Sequence, residues 1–89
     1  MTEATAKLEW EANAREKYQI MITKIPLFHR EIAKIVVDKK AESNAKERGS
    51  SVIEEPDIVD AFLSEVPKAF YSLMIRLFDE VGFKYEGNE

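Results

Sequence analysis

The sequence predicts an all-α fold, a small orthogonal bundle of four helices with a long central helix. Apolar residues recur at spacings of three and four along most of the 89 residues. The breaks in this pattern fall at residues that begin or end helices, namely Pro26, Gly49, Pro67 and Gly82. A chain of this length makes one domain. We place it at residues 9–83, with a frayed segment at 1–8 and a loose tail at 84–89.

The first two predicted helices meet at a proline. Helix one covers about residues 9–24, where Trp10 opens an apolar series at helical spacing. Pro26 disfavours helical geometry at the residue before it, and its missing N–H suits the first turn of a new helix. Helix two therefore covers about 27–48 and ends at Gly49. Its bulky apolar residues fill its first half and alanines fill its second half, so a neighbouring helix can approach the second half closely.

The second half of the chain predicts two shorter helices. Val52 and Ile53 form an extended link that packs inward ahead of helix three. Helix three covers about 55–65 and begins with Pro56 and several acids, which suit the positive end of the helix dipole. Helix four begins at Pro67 and has the strongest helical period in the chain. Gly82 ends it, and Phe83 supplies the apolar contact of a Schellman motif.

The predicted core draws on apolar positions of all four helices. It consists of Trp10, Tyr18, Ile22, Phe28, Ile32, Ile35, Val36, Ile53, Val59, Phe62, Phe70, Leu73, Leu77 and Phe78.

Composition excludes several classes of protein. The absence of cysteine removes disulfides, cysteine zinc sites and cysteine nucleophiles. Residues 1–48 carry ten basic and eight acidic side chains, and residues 49–89 carry three and nine, so the second half repels a polyanion. The apolar runs are too short for a membrane span and the first residues lack a signal-peptide pattern. We therefore expect a cytoplasmic protein that does not bind membranes, and we rank nucleic-acid binding well below protein binding.

No residue set in the sequence predicts catalysis. His29 is the only histidine and has no fixed carboxylate partner, so we interpret it as a helix-surface residue, with cofactor ligation as the weak alternative. The acids near Glu54 and Asp57 are explained by capping and the helix dipole. The three glycines are isolated and form no phosphate-binding loop. We expect a domain that is not an enzyme and that carries no cofactor and no metal.

Two surface features are candidates for interaction. Arg30 and Lys34 begin a basic row on helix two, but interleaved acids such as Glu31 favour a salt-bridged solvent face over phosphate contact. On helix four, Tyr71 and Ile75 form a second apolar stripe outside the main apolar face. That stripe is either the edge of a widely buried helix or a surface for self-association.

The segment from Trp10 to about Val66 also carries a recognisable pattern. A tryptophan precedes a Lys-apolar-Pro-apolar-Phe-x-Arg junction, a long helix with alanine, a glycine, and an isoleucine before an acidic helix start. Here these are Trp10, Lys24 to Arg30, Ala33-Lys34, Ala41, Gly49, Ile53 and Glu54 to Ala61. In these residues the chain resembles the small helical domain at the C-terminus of the B subunit of light-independent protochlorophyllide reductase, which also occurs as short free-standing proteins.

The resemblance has departures that bear on what it implies. Asp38 stands where glutamate is usual, Glu54 replaces a threonine cap, the long helix has about one extra turn, and helix four is an addition. The iron–sulfur and substrate sites of the reductase lie elsewhere in that enzyme, so no catalytic residue is implied here. The resemblance implies an accessory module associated with a reductase-type complex.

Our leading expectation is a non-catalytic protein–protein interaction module, whose partner is another protein or a second copy. Two alternatives stay open. A long helix, Arg48-Gly49, a β-branched link and an acidic helix start are also typical of a histone-type fold, which binds DNA as a dimer, although a pI of 5.1 disfavours this. A tetrapyrrole carrier that uses His29 is the other alternative.

Overall fold

The computed structural model describes residues 8–83, which form four helices and one pair of short strands. The elements are β1 (Glu9–Trp10), α1 (Ala12–Thr23), α2 (Leu27–Glu47), β2 (Val52–Ile53), α3 (Glu55–Glu65), a 3₁₀ turn (Lys68–Phe70) and α4 (Tyr71–Val81). The predicted all-α class with a long second helix is confirmed. Within the described range, no helix is both long and apolar enough to cross a membrane.

The predicted ends of the chain fall mostly outside the described residues. Segments 1–7 and 84–89, assigned above as frayed and loose, are among these. Leu8 is described, and it is half-buried against the core.

The two strands form a parallel pair that the sequence pattern does not predict. Glu9 pairs with Val52 and Trp10 with Ile53. The predicted start of helix one at residue 9 is therefore wrong by three residues, because pairing with β2 holds the chain extended. Glu11 then caps α1, since its Oε1 accepts a 2.8 Å hydrogen bond from the backbone amide of Ala14.

α3 packs against the second half of α2, as the alanines there predict. Ala41 and Ala45 are completely buried, and so are Ile58 and Phe62 of α3. Because alanine has no side chain beyond Cβ, the large side chains of α3 can pack directly against this part of α2.

A row of aromatic rings runs through the core. Trp10 stacks on Tyr18 with ring centroids 5.0 Å apart, and Tyr18 lies 5.9 Å from Phe62. The row continues from Phe62 to Phe78 at 6.0 Å and from Phe78 to Phe83 at 5.7 Å. Pairs of this kind contribute about 0.5–1.5 kcal/mol beyond area burial. The row links β1, α1, α3 and α4 into one core.

The end of α4 follows the prediction closely. Gly82 adopts a left-handed conformation with φ 97°, which glycine reaches without steric penalty. The amides of Gly82 and Phe83 both donate to the carbonyl of Phe78, at 2.8 and 3.0 Å, and Phe83 is buried. The predicted Schellman-type end of the helix is confirmed.

The predicted core is wrong on the first half of α2. Phe28, Ile32 and Ile35 are exposed, whereas Val37 on the opposite face is buried. The helix carries two apolar faces, and its smaller-residue face, which continues into Ala41, packs on the rest of the domain. The bulky face is consequently left in solvent.

The predicted core is also wrong at the start of α4. Phe70 and Leu73 are exposed, while Met74, Leu77 and Phe78 are buried. Residues 68–70 form a 3₁₀ turn after the proline, so the α-helical period begins only at residue 71. A 3₁₀ helix has three residues per turn, whereas an α-helix has about 3.6. Phe70 is therefore out of phase with the buried face of α4.

Candidate interaction surface

Three large apolar side chains lie in line on the solvent face of α2. Phe28, Ile32 and Ile35 are 78%, 63% and 60% exposed. Their spacing of four and three residues places them along one side of a helix. We call these three residues the α2 stripe. Leu27, the first residue of the helix, is exposed beside them.

Polar contacts on other sides of α2 hold this half of the helix on the domain. The guanidinium of Arg30 donates to the carbonyls of Thr23 and Ile25 at 3.0 and 2.9 Å, so it closes the turn between α1 and α2. The hydroxyl of Tyr18 contacts the carboxylate of Asp38 and lies 3.2 Å from the carbonyl oxygen of Lys34. The α2 stripe therefore sits on an anchored helix.

The environment of Tyr18 favours its neutral form. The side chain is buried in the core beside Asp38. Burial raises the pKa of the Tyr18 phenol above its ordinary value, and the hydrogen bond to the Asp38 carboxylate raises it further. This arrangement stabilises the contact between α1 and α2.

Charged residues border the α2 stripe. Glu31 and Lys39 are exposed on either side of Ile35. Lys34 pairs with Asp38 at 3.5 Å, one turn along the helix. The Asp38 carboxylate also accepts a hydrogen bond from the Tyr18 hydroxyl.

The structure places the sequence-predicted candidates on two helices. Arg30 and Lys34 lie on α2, and Tyr71 and Ile75 lie on α4. The hydroxyl of Tyr71 donates to the carbonyl of Leu63 at 2.6 Å, and Ile75 is half-buried against the core. Their roles in binding stay predictions.

His29 lies next to the α2 stripe. It is exposed, and the centroid of its ring lies 4.2 Å from the centroid of the Phe28 ring. No acidic group among residues 8–83 is within ion-pair distance of it. Within the same range, no three side chains of the metal-binding types are grouped to hold an ion.

Asp57 is the one acid of the helix-three start that is almost completely buried, at 2% exposure. Arg48 donates to its two carboxylate oxygens at 2.9 and 2.6 Å, and the backbone amide of Glu54 donates at 2.8 Å. The hydrogen bond to Asp57 also raises the pKa of the Arg48 guanidinium above its ordinary value. Asn44 completes the cluster by donating to the Asp57 carbonyl at 3.0 Å. These contacts fasten α3 to the end of α2, and they confirm the interpretation of this acid as a helix cap.

Sequence reasoning missed the α2 stripe because it assigned the three residues to the core. A signal for the surface assignment was nevertheless present. On the same face, the next positions at alternating spacings of four and three are Lys39, Glu42 and Lys46. A face that continues as charged residues favours contact with water along its length.

A scan against protein-family models, a search of curated proteins and a search of solved structures each found no match for this chain. The resemblance to the protochlorophyllide reductase domain stays a prediction that rests on the residues quoted for it.

Proposed function

We propose that this domain is a non-catalytic protein-interaction module and that the α2 stripe is its contact surface. The observation that carries the proposal is the exposure of Phe28, Ile32 and Ile35 on a helix that the rest of the fold holds in place. We propose that the domain acts within the reductase-type complex that the sequence resemblance implies.

The size of the exposed apolar surface supports a binding role. With Leu27, the stripe exposes on the order of 400 Å² of apolar area. Patches of this size on soluble proteins are often functional. Covering it contributes about 10 kcal/mol at about 25 cal/mol per Å². This gross gain is enough to offset a large part of the free energy that association costs.

The shape of the surface favours a protein partner over a small molecule. Small-molecule sites are concave and enclose most of the ligand. The α2 stripe lies on the outer, convex side of a helix, and helix surfaces pack on other helices through their side-chain ridges. Phe28 is also of the residue type that is enriched at the buried centre of protein interfaces.

Affinity purification with matched variants tests the proposal. The tagged parent, Ile32→Glu and Ile20→Glu are expressed in cells that naturally make the protein, and co-purifying proteins are quantified by mass spectrometry. Ile20 is a fair control because it is 42% exposed, lies on α1 and receives the same substitution.

We expect Ile32→Glu to lose a partner, or a second differently tagged copy, that the parent and Ile20→Glu recover in equal amounts. Circular dichroism of the three proteins shows whether each is folded. Equal recovery of every co-purifying protein by the three folded proteins would contradict the proposal.

A further inference from the structure

We propose that the occupant of the α2 stripe is a second copy of this chain, in a two-fold homodimer in which α2 crosses α2 of the partner. This inference rests on the proposed function, since it names what binds the same surface. An isologous contact presents one patch to itself, so apolar side chains meet apolar side chains on both copies.

The exposed area matches what a stable dimer needs. A standard interface buries about 800 Å² on each partner, and a little more than half of it is apolar, which is about 450 Å². The α2 stripe and Leu27 supply on the order of 400 Å² of such surface. Packed through this face, two copies can therefore bury an apolar area close to that of a standard interface, with the surrounding charged residues as its rim.

The spacing of the apolar residues predicts how the helices cross. Phe28, Ile32 and the half-buried Val36 are four residues apart and form one ridge. Ridges of this type on two helices interdigitate at a crossing angle of about −50°. The apolar segment from 28 to 36 is only about 12 Å long. A crossing suits this length better than a long parallel contact, because Ile32 lies near the two-fold axis and the charged ends of the helices diverge into water.

The segments of the chain outside the described range do not have the chemistry to cover the stripe instead. Residues 1–7 contain one large apolar side chain, Met1, and residues 84–89 contain one, Tyr85. Neither segment repeats large apolar residues at the spacing of three and four that the α2 stripe has. A second copy of the stripe does have this spacing.

The oligomeric state of the purified protein tests the inference. We expect the parent to have a mass of about twice 10.3 kDa by light scattering or sedimentation, at protein concentrations on the order of 100 μM. Ile32→Glu should weaken self-association by more than about 30-fold, because it puts a charge at the centre of the contact. Ile20→Glu should leave the dimer intact.

A disulfide trap checks the geometry independently. The chain contains no cysteine, so Ile32→Cys introduces a single thiol near the proposed axis. Where two packed helices cross, their axes are about 8–10 Å apart. Cα atoms that face each other at such a crossing come within roughly the 4.4–6.8 Å range that a disulfide spans. We expect Ile32→Cys to form a covalent dimer rapidly on mild oxidation, and Ile20→Cys to do so only slowly.

Three outcomes would overturn the inference. These are a parent that is monomeric at concentrations on the order of 500 μM, a dimer that persists in folded Ile32→Glu, and a dimer that is lost in Leu73→Glu on α4 but not in Ile32→Glu. A monomeric parent that loses a different protein through Ile32→Glu would leave the proposed function standing and reject the second copy as the occupant.

Discussion

At the scale of single residues, Tyr18 connects the apolar core to the first half of α2. Its ring stacks on Trp10 and packs near Phe62, while its hydroxyl reaches the Asp38 carboxylate. A buried phenol can be accommodated only if its oxygen finds a polar partner. The backbone of α2 and Asp38 provide such partners, which fixes the position of α2 relative to α1.

The raised pKa of Tyr18 makes stability depend on alkaline pH. Because the folded pKa lies above the unfolded value of about 10, the contribution of the neutral phenol is fully present below pH ~10 and is lost as pH rises further. The free energy of unfolding should fall above that pH by up to about 1.4 kcal/mol per pH unit for this proton. Tyr18→Phe should cost about 1 kcal/mol at pH 7 and then show a shallower alkaline fall.

Urea unfolding of the parent and of Tyr18→Phe between pH 7 and 11.5 measures this difference, with Tyr71→Phe as a control at a tyrosine on the surface. The same alkaline slope in the parent and in Tyr18→Phe would show that another group causes the fall.

At the scale of elements, the two faces of α2 have different roles. One face carries Val37, Ala41 and Ala45 and is buried against the domain, and the other carries the α2 stripe. Arg48 and Asp57 then fix α3 beside the end of α2. The small residues of α2 allow the other helices to pack closely, so their face is the buried one. The larger and more apolar side chains are therefore left in solvent, where a partner can bind them.

Two substitutions on α2 distinguish the faces. Ala41→Leu should destabilise the fold by about 1–3 kcal/mol, because the added atoms have no space between α2 and α3. Ile35→Ala should change stability by no more than about 0.5 kcal/mol, since the side chain is exposed and alanine is a good helix former. Denaturant unfolding is measured at low protein concentration, so that association does not contribute. A larger loss for Ile35→Ala than for Ala41→Leu would mean that the faces are reversed.

Local chemistry determined how much of each element could be predicted. Pro26 and Gly82 act through their own backbone geometry, so the helix ends beside them are where the sequence pattern puts them. The pairing of residues 9–10 with 52–53 joins segments far apart in the chain and spans two residues on each side, too short for an alternating pattern. Which of the two apolar faces of α2 is buried depends on how the helices pack against one another. The spacing of the apolar residues alone does not predict this.

At the scale of the whole molecule, a domain of this size has a small core and a correspondingly small stability. Its buried residues form a single cluster around the aromatic row. The apolar side chains of Phe28, Ile32 and Ile35 contribute little to that cluster in a single copy. If a second copy covers them, part of the stability of the protein comes from association.

This coupling predicts that thermal stability depends on protein concentration. Binding between folded copies stabilises them by mass action, at about 0.7 kcal/mol per copy for each tenfold rise in concentration once dimers predominate. For a domain of this size, that corresponds to an increase in Tm of about 3–5 °C per tenfold. Ile32→Glu should unfold at a Tm that does not change with concentration, while Ile20→Glu should follow the parent. Thermal melts at about 5, 50 and 500 μM measure the dependence. A parent whose Tm is constant over this range gains no stability from association, and the α2 stripe would then serve a different partner.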